Sequence, residues 1–416
     1  MTVTAIPPNQ ASALTGWRAA WTPGRARLWL VAAAVAAWLP LLGVPFRGWL
    51  DFSAFYAAGR LAFTPAVTGL VPITAYQVAH GLPITPVVYP AGVALPYALL
   101  SVLPYGVAAA LHAALMLTLL LVAGAVWAGV VGLPRRWALL GVLAWAPAAA
   151  GVASGQNSSV ALLLVALSGA ALVARRQGVA GVLVGALTYK PQLAAPLIGL
   201  LLLRGRWIGV AVAGAVAVAG HWALGVVATG GRLDWPLAWL DTVRAYQESD
   251  LLANGWQAIS LPGLAARVGL ATGLPWLVLV GYAAGIALVL WCLPALRRMP
   301  WPDAVALAAA LGLAVSPHAW VYDAALLIPA LGVFAARAAR RGWPWRDRWW
   351  LAAAYGTALL WPIGGIIGVT AMPLVVVVVP IALLERGPFR PQTLVLSPVP
   401  SAAATAAGKS AATRVR

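Results

Sequence analysis

The sequence predicts an all-α membrane protein, a polytopic bundle of transmembrane helices. Of its 416 residues, 62% are hydrophobic and only 9% are charged, and the mean hydropathy is +0.89. A water-soluble surface needs more charge than this, so lipid is the expected solvent. The apolar runs are continuous, whereas strands of a membrane barrel alternate apolar and polar residues. Helices are therefore predicted.

The apolar stretches predict about twelve spans, with a range of about 10 to 13. Crossing a hydrocarbon core of about 30 Å takes roughly 20 apolar residues as a helix. Residues 105–131 and 207–229 meet this length, and shorter runs need neighbours. Residues 92–103 would add a short or re-entrant segment. In chain order, the predicted spans are 28–45, 105–131, 137–151, 158–174, 178–189, 191–203, 207–229, 272–295, 303–316, 321–336, 348–364 and 370–385.

The basic residues predict the orientation. The net charge is +18, and the basic residues lie in short clusters between apolar runs. With the amino terminus inside, 21 of the 27 basic residues fall on the inner side. This is the positive-inside pattern, and it indicates topology and anionic lipid rather than nucleic acid.

The apolar stretches and the distribution of basic residues divide the chain into three parts. Residues 1–27 are expected to be a cytoplasmic leader and residues 386–416 a disordered cytoplasmic tail. Residues 28–385 form the membrane domain, with long outer loops at about 46–104 and 230–271. In the first loop, Phe52 to Leu61 could lie as a helix along the interface. The single cysteine, Cys292, excludes an intramolecular disulfide.

The sequence contains only nine carboxylates, so the role of each can be considered separately. Asp303, Asp347 and Glu385 fall at inner helix ends, where a solvated or capping role is the simpler interpretation. Asp51 follows the first predicted span at the outer mouth of the bundle. Partial burial there would raise its basicity and suit a general base. Its alternative role is the N-cap of a following helix.

Three further polar groups fall on the outer side. Lys190 lies between two apolar runs, where an ammonium needs a partner such as phosphate, unless it extends to the headgroups. The run Gly155-Gln156-Asn157 is a polar turn whose amides could bind sugar hydroxyls, although as a tripeptide it is a weak signal. His318 and Tyr322 are four residues apart and could share a helical face that holds phosphate or orients a base. Alternatively, His318 is an ordinary loop residue.

Other chemistries lack their motifs. The four histidines show no metal-ligand spacing, so no metal site is predicted. The sequence also lacks a Walker A motif, a dinucleotide fingerprint and a G-x-S-x-G elbow.

The polar and aromatic motifs recur in a fixed order along the chain. They are Asp51 with its aromatic neighbours, Tyr89-Pro90, Gly155-Gln156-Asn157, Lys190-Pro191-Gln192, Pro317 and Tyr322-Asp323. This ordered set resembles glycosyltransferase family 87, the bacterial polyprenyl-phosphate-mannose-dependent mannosyltransferases of the GT-C superfamily. The resemblance covers about residues 45 to 335. It departs at Tyr89-Pro90-Ala91, where a second proline is common, and over 62–88.

The resemblance implies a GT-C type helical enzyme of the bacterial inner membrane that acts on the outer face. It would move a sugar, mannose by this likeness, from a polyprenyl-phosphate sugar to a hydroxyl of a glycolipid or glycan acceptor. Neither cofactor nor nucleic acid is implied. Asp51 would be the catalytic base and His318 would help to hold the donor phosphate. The substrate-binding candidates are Lys190, His318, Arg60, Tyr89, Gln156, Asn157, Gln192, Tyr322 and Asp323.

Two other functions remain open on the sequence alone. A transporter or flippase of lipid-linked sugars would use similar polar groups in a midplane site, with broken helices in matching halves. A non-catalytic assembly partner is the third possibility. Substrate transport that survives loss of Asp51 would favour the transporter, and an unaltered glycolipid profile in a deletion strain would favour the assembly partner.

Overall fold

The protein is helical throughout the part that the computed structural model describes, residues 23–39, 50–368 and 370–385. Within those ranges the only β-type pairing is one isolated bridge between Ala258 and Trp320. The α-helices are α1 (Pro23–Trp38), α2 (Leu50–Arg60), α3 (Leu70–Ala79), α4 (Ala94–Leu100), α5 (Tyr105–Val131), α6 (Arg135–Leu143), α7 (Ala146–Ser154), α8 (Ser158–Val173), α9 (Gln177–Ala186), α10 (Pro191–Leu203), α11 (Trp207–Ala215), α12 (His221–Ala228), α13 (Trp235–Asn254), α14 (Leu261–Thr272), α15 (Leu277–Arg298), α16 (Trp301–Val315), α17 (Ile328–Arg340), α18 (Trp345–Leu359), α19 (Gly364–Ile367) and α20 (Met372–Glu385). Short 3₁₀ stretches and one π-helical stretch, Val216–Gly220, join several of them.

Four described helical segments are long and apolar enough to cross a membrane, and a fifth follows if a bent pair counts as one span. They are Tyr105–Val131, Trp207–Ala228, Leu277–Arg298 and Val321–Arg340, with α6 and α7 meeting at 62° as the bent pair. The two long predicted spans are thus confirmed as helices. Helices such as α10, with 13 residues, reach only about 20 Å. The count of about twelve spans stays a prediction.

The two long outer segments are largely helical. The first contains α2, α3 and α4, and the second contains α13 and α14. The predicted helix after residue 51 is confirmed as α2, but Phe52 to Gly59 are all buried against the protein. Of the leader, only residues 23–27 are described, and they begin α1. The predicted tail lies outside the described residues.

Helix α16 is the centre of the bundle. All residues from Pro302 to Ala314 are buried, and most of them are alanine, leucine or valine. Small side chains let neighbouring helices approach closely, which suits a helix surrounded on all sides. Its 15 residues extend over roughly 22 Å and so separate two polar ends of the molecule.

At one end of α16, Asp303 and Asp347 correct an expectation. Asp303 pairs with Arg337 at 3.0 Å and Asp347 with Arg341 at 2.7 Å. Both carboxylates lie in the first turn of a helix, as predicted, but they are buried rather than solvated. A buried carboxylate needs a cation or strong donors, and the arginines meet that need. The side chain of Glu385 lies outside the described part.

At the other end of α16, Lys190 pairs with Asp323 and His318 with Asp250. Each of these pairs joins residues that the charge pattern assigned to the same side of the membrane. These two pairs and the two arginine–aspartate pairs therefore lie at opposite ends of α16. The second end contains the candidate functional site.

Candidate functional site

Gly155 brings the first outer helix against the turn between α7 and α8. It caps α7 in the left-handed region, with φ of 82°. A Cβ at this position would lie 2.5 Å from Phe52 Cβ and 2.9 Å from Phe52 N. Only glycine permits both the backbone angle and the contact. The next residue, Gln156, is consequently held beside Asp51.

Asp51 is a half-buried carboxylate in the first turn of α2. Burial raises its pKa from 3.8 to about 6, although hydrogen bonds from Gln156 and Ser154 and the charge of Lys190 act in the opposite direction. The negative charge of Asp250 adds to the rise. A carboxylate with such a pKa is ionised at neutral pH yet basic enough to take a proton.

Tyr89 orients the amide that contacts Asp51. Its hydroxyl donates to Oε1 of Gln156 at 3.0 Å. The amide nitrogen of Gln156 is then left to donate to the Asp51 carboxylate. The predicted group of Asp51, Tyr89 and Gln156 is thus assembled in space. Asn157 is buried nearby, and Tyr189 donates to its backbone carbonyl at 3.1 Å.

Lys190 is fully engaged by the protein. Its Nζ lies 2.8 Å from Oδ1 of Asp323 and 3.4 Å from Oγ of Ser158, and the residue is only 3% exposed. The predicted need for a partner is met by Asp323 rather than by headgroups. The rings of Tyr89 and Tyr322 lie 5.7 and 5.6 Å from Nζ, within cation–π range.

Two further donors contact the carboxylate of Asp323. Ser158 Oγ donates to its Oδ1 at 3.1 Å, and the backbone N–H of Trp320 donates to its Oδ2 at 3.2 Å. Both oxygens of this buried carboxylate therefore have partners. The pair ties the α8 turn, the start of α10 and the segment after α16 into one rigid unit.

His318 does not share a helical face with Tyr322, so that prediction was wrong. Helix α16 ends at Val315, and a 3₁₀ helix begins only at Val321. The intervening loop is fixed by Ser316 Oγ, which donates to the His318 carbonyl at 2.7 Å, and by Gln192 Nε2 at 3.4 Å. The alternative of a loop histidine is the one observed.

The loop places the His318 side chain beside Asp250 of α13. Nδ1 lies 3.0 Å from Oδ2 of Asp250, and the histidine side chain is 37% exposed whereas the aspartate is 3% exposed. Tyr246 and Asn254 both contact Oδ1 of Asp250 at 2.7 Å. These donors and His318 lower the pKa of Asp250 although burial alone would raise it.

Asp250 is the site residue that sequence reasoning missed. It was one carboxylate among several in the second outer segment. The signal was its spacing, since Tyr246, Asp250 and Asn254 recur every four residues and so lie on one face of α13. In the structure this face lies against the loop that contains His318.

Arg60 is not brought to the site. It ends α2, nine residues after Asp51, which corresponds to about 13 Å along the helix. It is exposed, and its guanidinium lies 5.8 Å from the Tyr56 ring centroid and interacts with Tyr76. The site therefore contains all of the predicted residues except this one.

No group of three or more His, Cys, Asp or Glu side chains in the described ranges could hold a metal ion. The prediction of a site without metal or cofactor stays a prediction. What the geometry provides is a carboxylate, Asp51, close enough to sense the charges of Lys190 and Asp250, with Lys190 paired to Asp323 and the 37% exposed His318 paired to Asp250. Such an arrangement can accept a proton and can meet an anion.

The described residues define a helical membrane protein with a cluster of ionisable side chains at one end of its bundle. The sequence model of glycosyltransferase family 87 matches residues 88–317, which is more than half of the chain. The protein belongs to glycosyltransferase family 87 and is a membrane-embedded transferase. Neither the curated proteins nor the solved structures contain a match. The matched range includes Tyr89, Gln156, Lys190 and Asp250, but it begins after Asp51 and ends one residue before His318.

Proposed function

We propose that the enzyme transfers a hexose, mannose by family resemblance, from a polyprenyl-phosphate sugar to an acceptor hydroxyl. The acceptor is a glycolipid or glycan at the membrane surface. The observation that carries this proposal is the Asp51 carboxylate, held by Gln156 with a pKa of about 6 in the same cluster as His318 and Lys190. A family of glycosyltransferases supplies the reaction class.

The proposed step is an inverting displacement at the anomeric carbon. Asp51 takes the proton of the acceptor hydroxyl while that oxygen forms the new bond to the sugar. The bond from the sugar to the phosphate oxygen breaks, and its electron pair leaves with polyprenyl phosphate. One carboxylate is enough for this step, because the base acts only on the attacking oxygen.

The leaving phosphate needs charge stabilisation. A sugar phosphodiester carries one negative charge, and the departing phosphate monoester carries up to two. His318 is half-exposed and can contact this phosphate directly. Lys190 is buried and paired with Asp323, so it is not a direct ligand of the phosphate. Its positive charge acts from a position beside the rings of Tyr89 and Tyr322. Arg60 takes no part in the proposed step.

The site is assigned to the outer face of a bacterial inner membrane, with the amino terminus inside. The distribution of basic residues supports this orientation. The polyprenyl tail would lie along the bilayer, beside a helical domain of GT-C type that extends over residues 28–385. Loops at about 46–104 and 230–271 supply the site from the outer side.

The test is a transfer reaction with purified protein in lipid nanodiscs. Radiolabelled mannosyl phosphoryl polyprenol is supplied with an extract of membrane glycolipids, and GDP-mannose serves as the matched nucleotide donor. A new labelled glycolipid from the polyprenyl donor alone supports the proposal. In liposomes, label that crosses between leaflets without a new glycosidic bond would instead identify a flippase.

A further inference from the structure

Both oxygens of the Asp250 carboxylate have partners, and one of them holds the His318 ring. Oδ2 lies 3.0 Å from Nδ1 of His318, while Oδ1 is 2.7 Å from the Tyr246 hydroxyl and 2.7 Å from the Asn254 amide nitrogen. The aspartate side chain is 3% exposed, so water does not compete for these contacts. The carboxylate is therefore fixed before any ligand arrives.

This arrangement determines which ring nitrogen of His318 is available. An ionised carboxylate only accepts hydrogen bonds, so Nδ1 must carry a proton that it donates to Asp250. Nε2 is then the one ring nitrogen left for a ligand, and the side chain is 37% exposed. The loop is fixed as well, since Ile259 N donates to the Ala319 carbonyl at 3.1 Å.

We propose that Asp250 is a positioning residue that orients His318 and stabilises its imidazolium form while Nε2–H binds the phosphate of the lipid-linked donor. This proposal rests on the proposed function. The bond from the sugar to the phosphate oxygen breaks, the phosphate keeps the electron pair, and its extra negative charge is met by Nε2–H. No proton needs to leave His318 for the step to balance, because the acceptor proton goes to Asp51.

The balance of charges explains why an aspartate suits this position. An imidazolium placed between Asp250 and a phosphate has an anion on each side, so each of its two N–H groups makes a charge-assisted hydrogen bond. A hydrogen bond to a charged partner contributes more than a neutral one, and its loss corresponds to about 10- to 100-fold in rate. Asp250 never touches the substrate in this scheme.

A purely structural tether is the competing explanation. Asp250 lies near the end of α13, and earlier in the same helix Trp239 donates to the Val88 carbonyl at 3.0 Å and Thr242 to the Thr68 carbonyl at 2.6 Å. If Asp250 only held α13 in place, its loss would disturb the site whatever residue stood at 318. A double-mutant cycle separates the two explanations.

The experiment measures kcat and KM for donor and acceptor in Asp250→Asn, His318→Gln and the double variant. We expect Asp250→Asn to lower kcat by about 10- to 100-fold. In the His318→Gln background, where residue 318 cannot become cationic, the same change should alter kcat by less than about threefold. Asp250→Glu, which keeps the charge, should recover part of the lost rate.

The matched control is Asp241→Asn on the same helix, whose carboxylate is exposed and contacts only Arg244 at 3.2 Å among the contacts described. It should behave as the native protein does. Equal losses from Asp250→Asn in both backgrounds, or a loss no larger than that of the control, would overturn the inference. If the native protein fails to use the polyprenyl donor, the proposed function fails first. Thermal midpoints identify any variant that does not fold, and Asp250→Ser, which also removes the charge, takes the place of an unfolded Asp250→Asn in the cycle.

Discussion

Lys190 and Asp323 form a buried ion pair that joins segments 133 positions apart in the chain, with 2.8 Å between Nζ and Oδ1. Each residue is 3% exposed or less. The pair links the start of α10 to the segment after α16. Burial raises the pKa of Asp51, and the nearby lysine charge reduces that rise. Lys190 therefore has both a structural contact and an electrostatic influence on Asp51.

Breaking this pair should destabilise the protein strongly. Asp323→Asn or Lys190→Met leaves one buried charge without its partner, which costs about 3–5 kcal/mol. The double variant Lys190→Met/Asp323→Asn removes both charges and should recover a large part of that loss. Thermal unfolding of the purified variants checks this. Single variants as stable as the native protein would show that the pair does not hold the fold.

Replacing Gly155 should disable the site. In Gly155→Ala the new Cβ would meet Phe52 Cβ and N, displacing Asp51 from Gln156, and the residue would also be strained at φ of 82°. Gly132 has a similar φ of 71° and open space around it, so Gly132→Ala tests the strain alone. We expect transfer to fall at least about tenfold in the first variant and little in the second. Equal effects would contradict the role assigned to the Phe52 contact.

The pH dependence of transfer should report Asp51. The base works only when ionised, so kcat/KM should fall as the pH drops below about 6. Gln156→Leu removes a hydrogen bond that lowers this pKa, so the acid limb should move to higher pH. Gln177→Leu, at the start of α9, serves as the control because Gln177 is not among the groups that shift Asp51. A limb that does not move in Gln156→Leu would contradict the assignment.

Neutralising Asp51 should stabilise the fold. A carboxyl whose folded pKa is about 6, against an ordinary value of 3.8, favours the folded state most when it is protonated. That contribution is complete below about pH 3.8 and is lost as the pH rises through 6. At pH 7.5, Asp51→Asn should therefore unfold at a higher temperature than the native protein, with no such gain at pH 4.5. A lower midpoint at both pH values would instead indicate a structural role.

The sequence predicted the fold class well because apolar length and the arginine distribution are local and cumulative properties. The helices α5 and α15 could be predicted in this way. So could the choice of Asp51, Gln156 and Lys190 as polar residues that need a functional explanation. The pairing of Lys190 with Asp323 could not, since it depends on how α10 packs beside α16. His318 was placed on a helix because the end of α16 at Val315 and the later 3₁₀ start leave no clear periodic signal.

Asp250 is a residue whose local sequence pattern was visible but whose partner was not. Its stripe with Tyr246 and Asn254 was visible in the sequence, but no pattern indicated that α13 crosses to the loop at 318. Arg60 was included on charge alone, and the length of α2 separates it from Asp51. The Asp250 case thus depends on a contact between distant segments, whereas the Arg60 case depends on helix length alone.

The central claim is that Asp51 is the base of a polyprenyl-phosphate-dependent sugar transfer. The most direct measurement compares native protein, Asp51→Asn and the Asp241→Asn control for transfer of labelled mannose from the polyprenyl donor, with donor binding measured in parallel. We predict that Asp51→Asn binds donor normally but transfers about 10²- to 10⁴-fold more slowly, while the control is unchanged. Transfer by Asp51→Asn at the native rate would contradict the account.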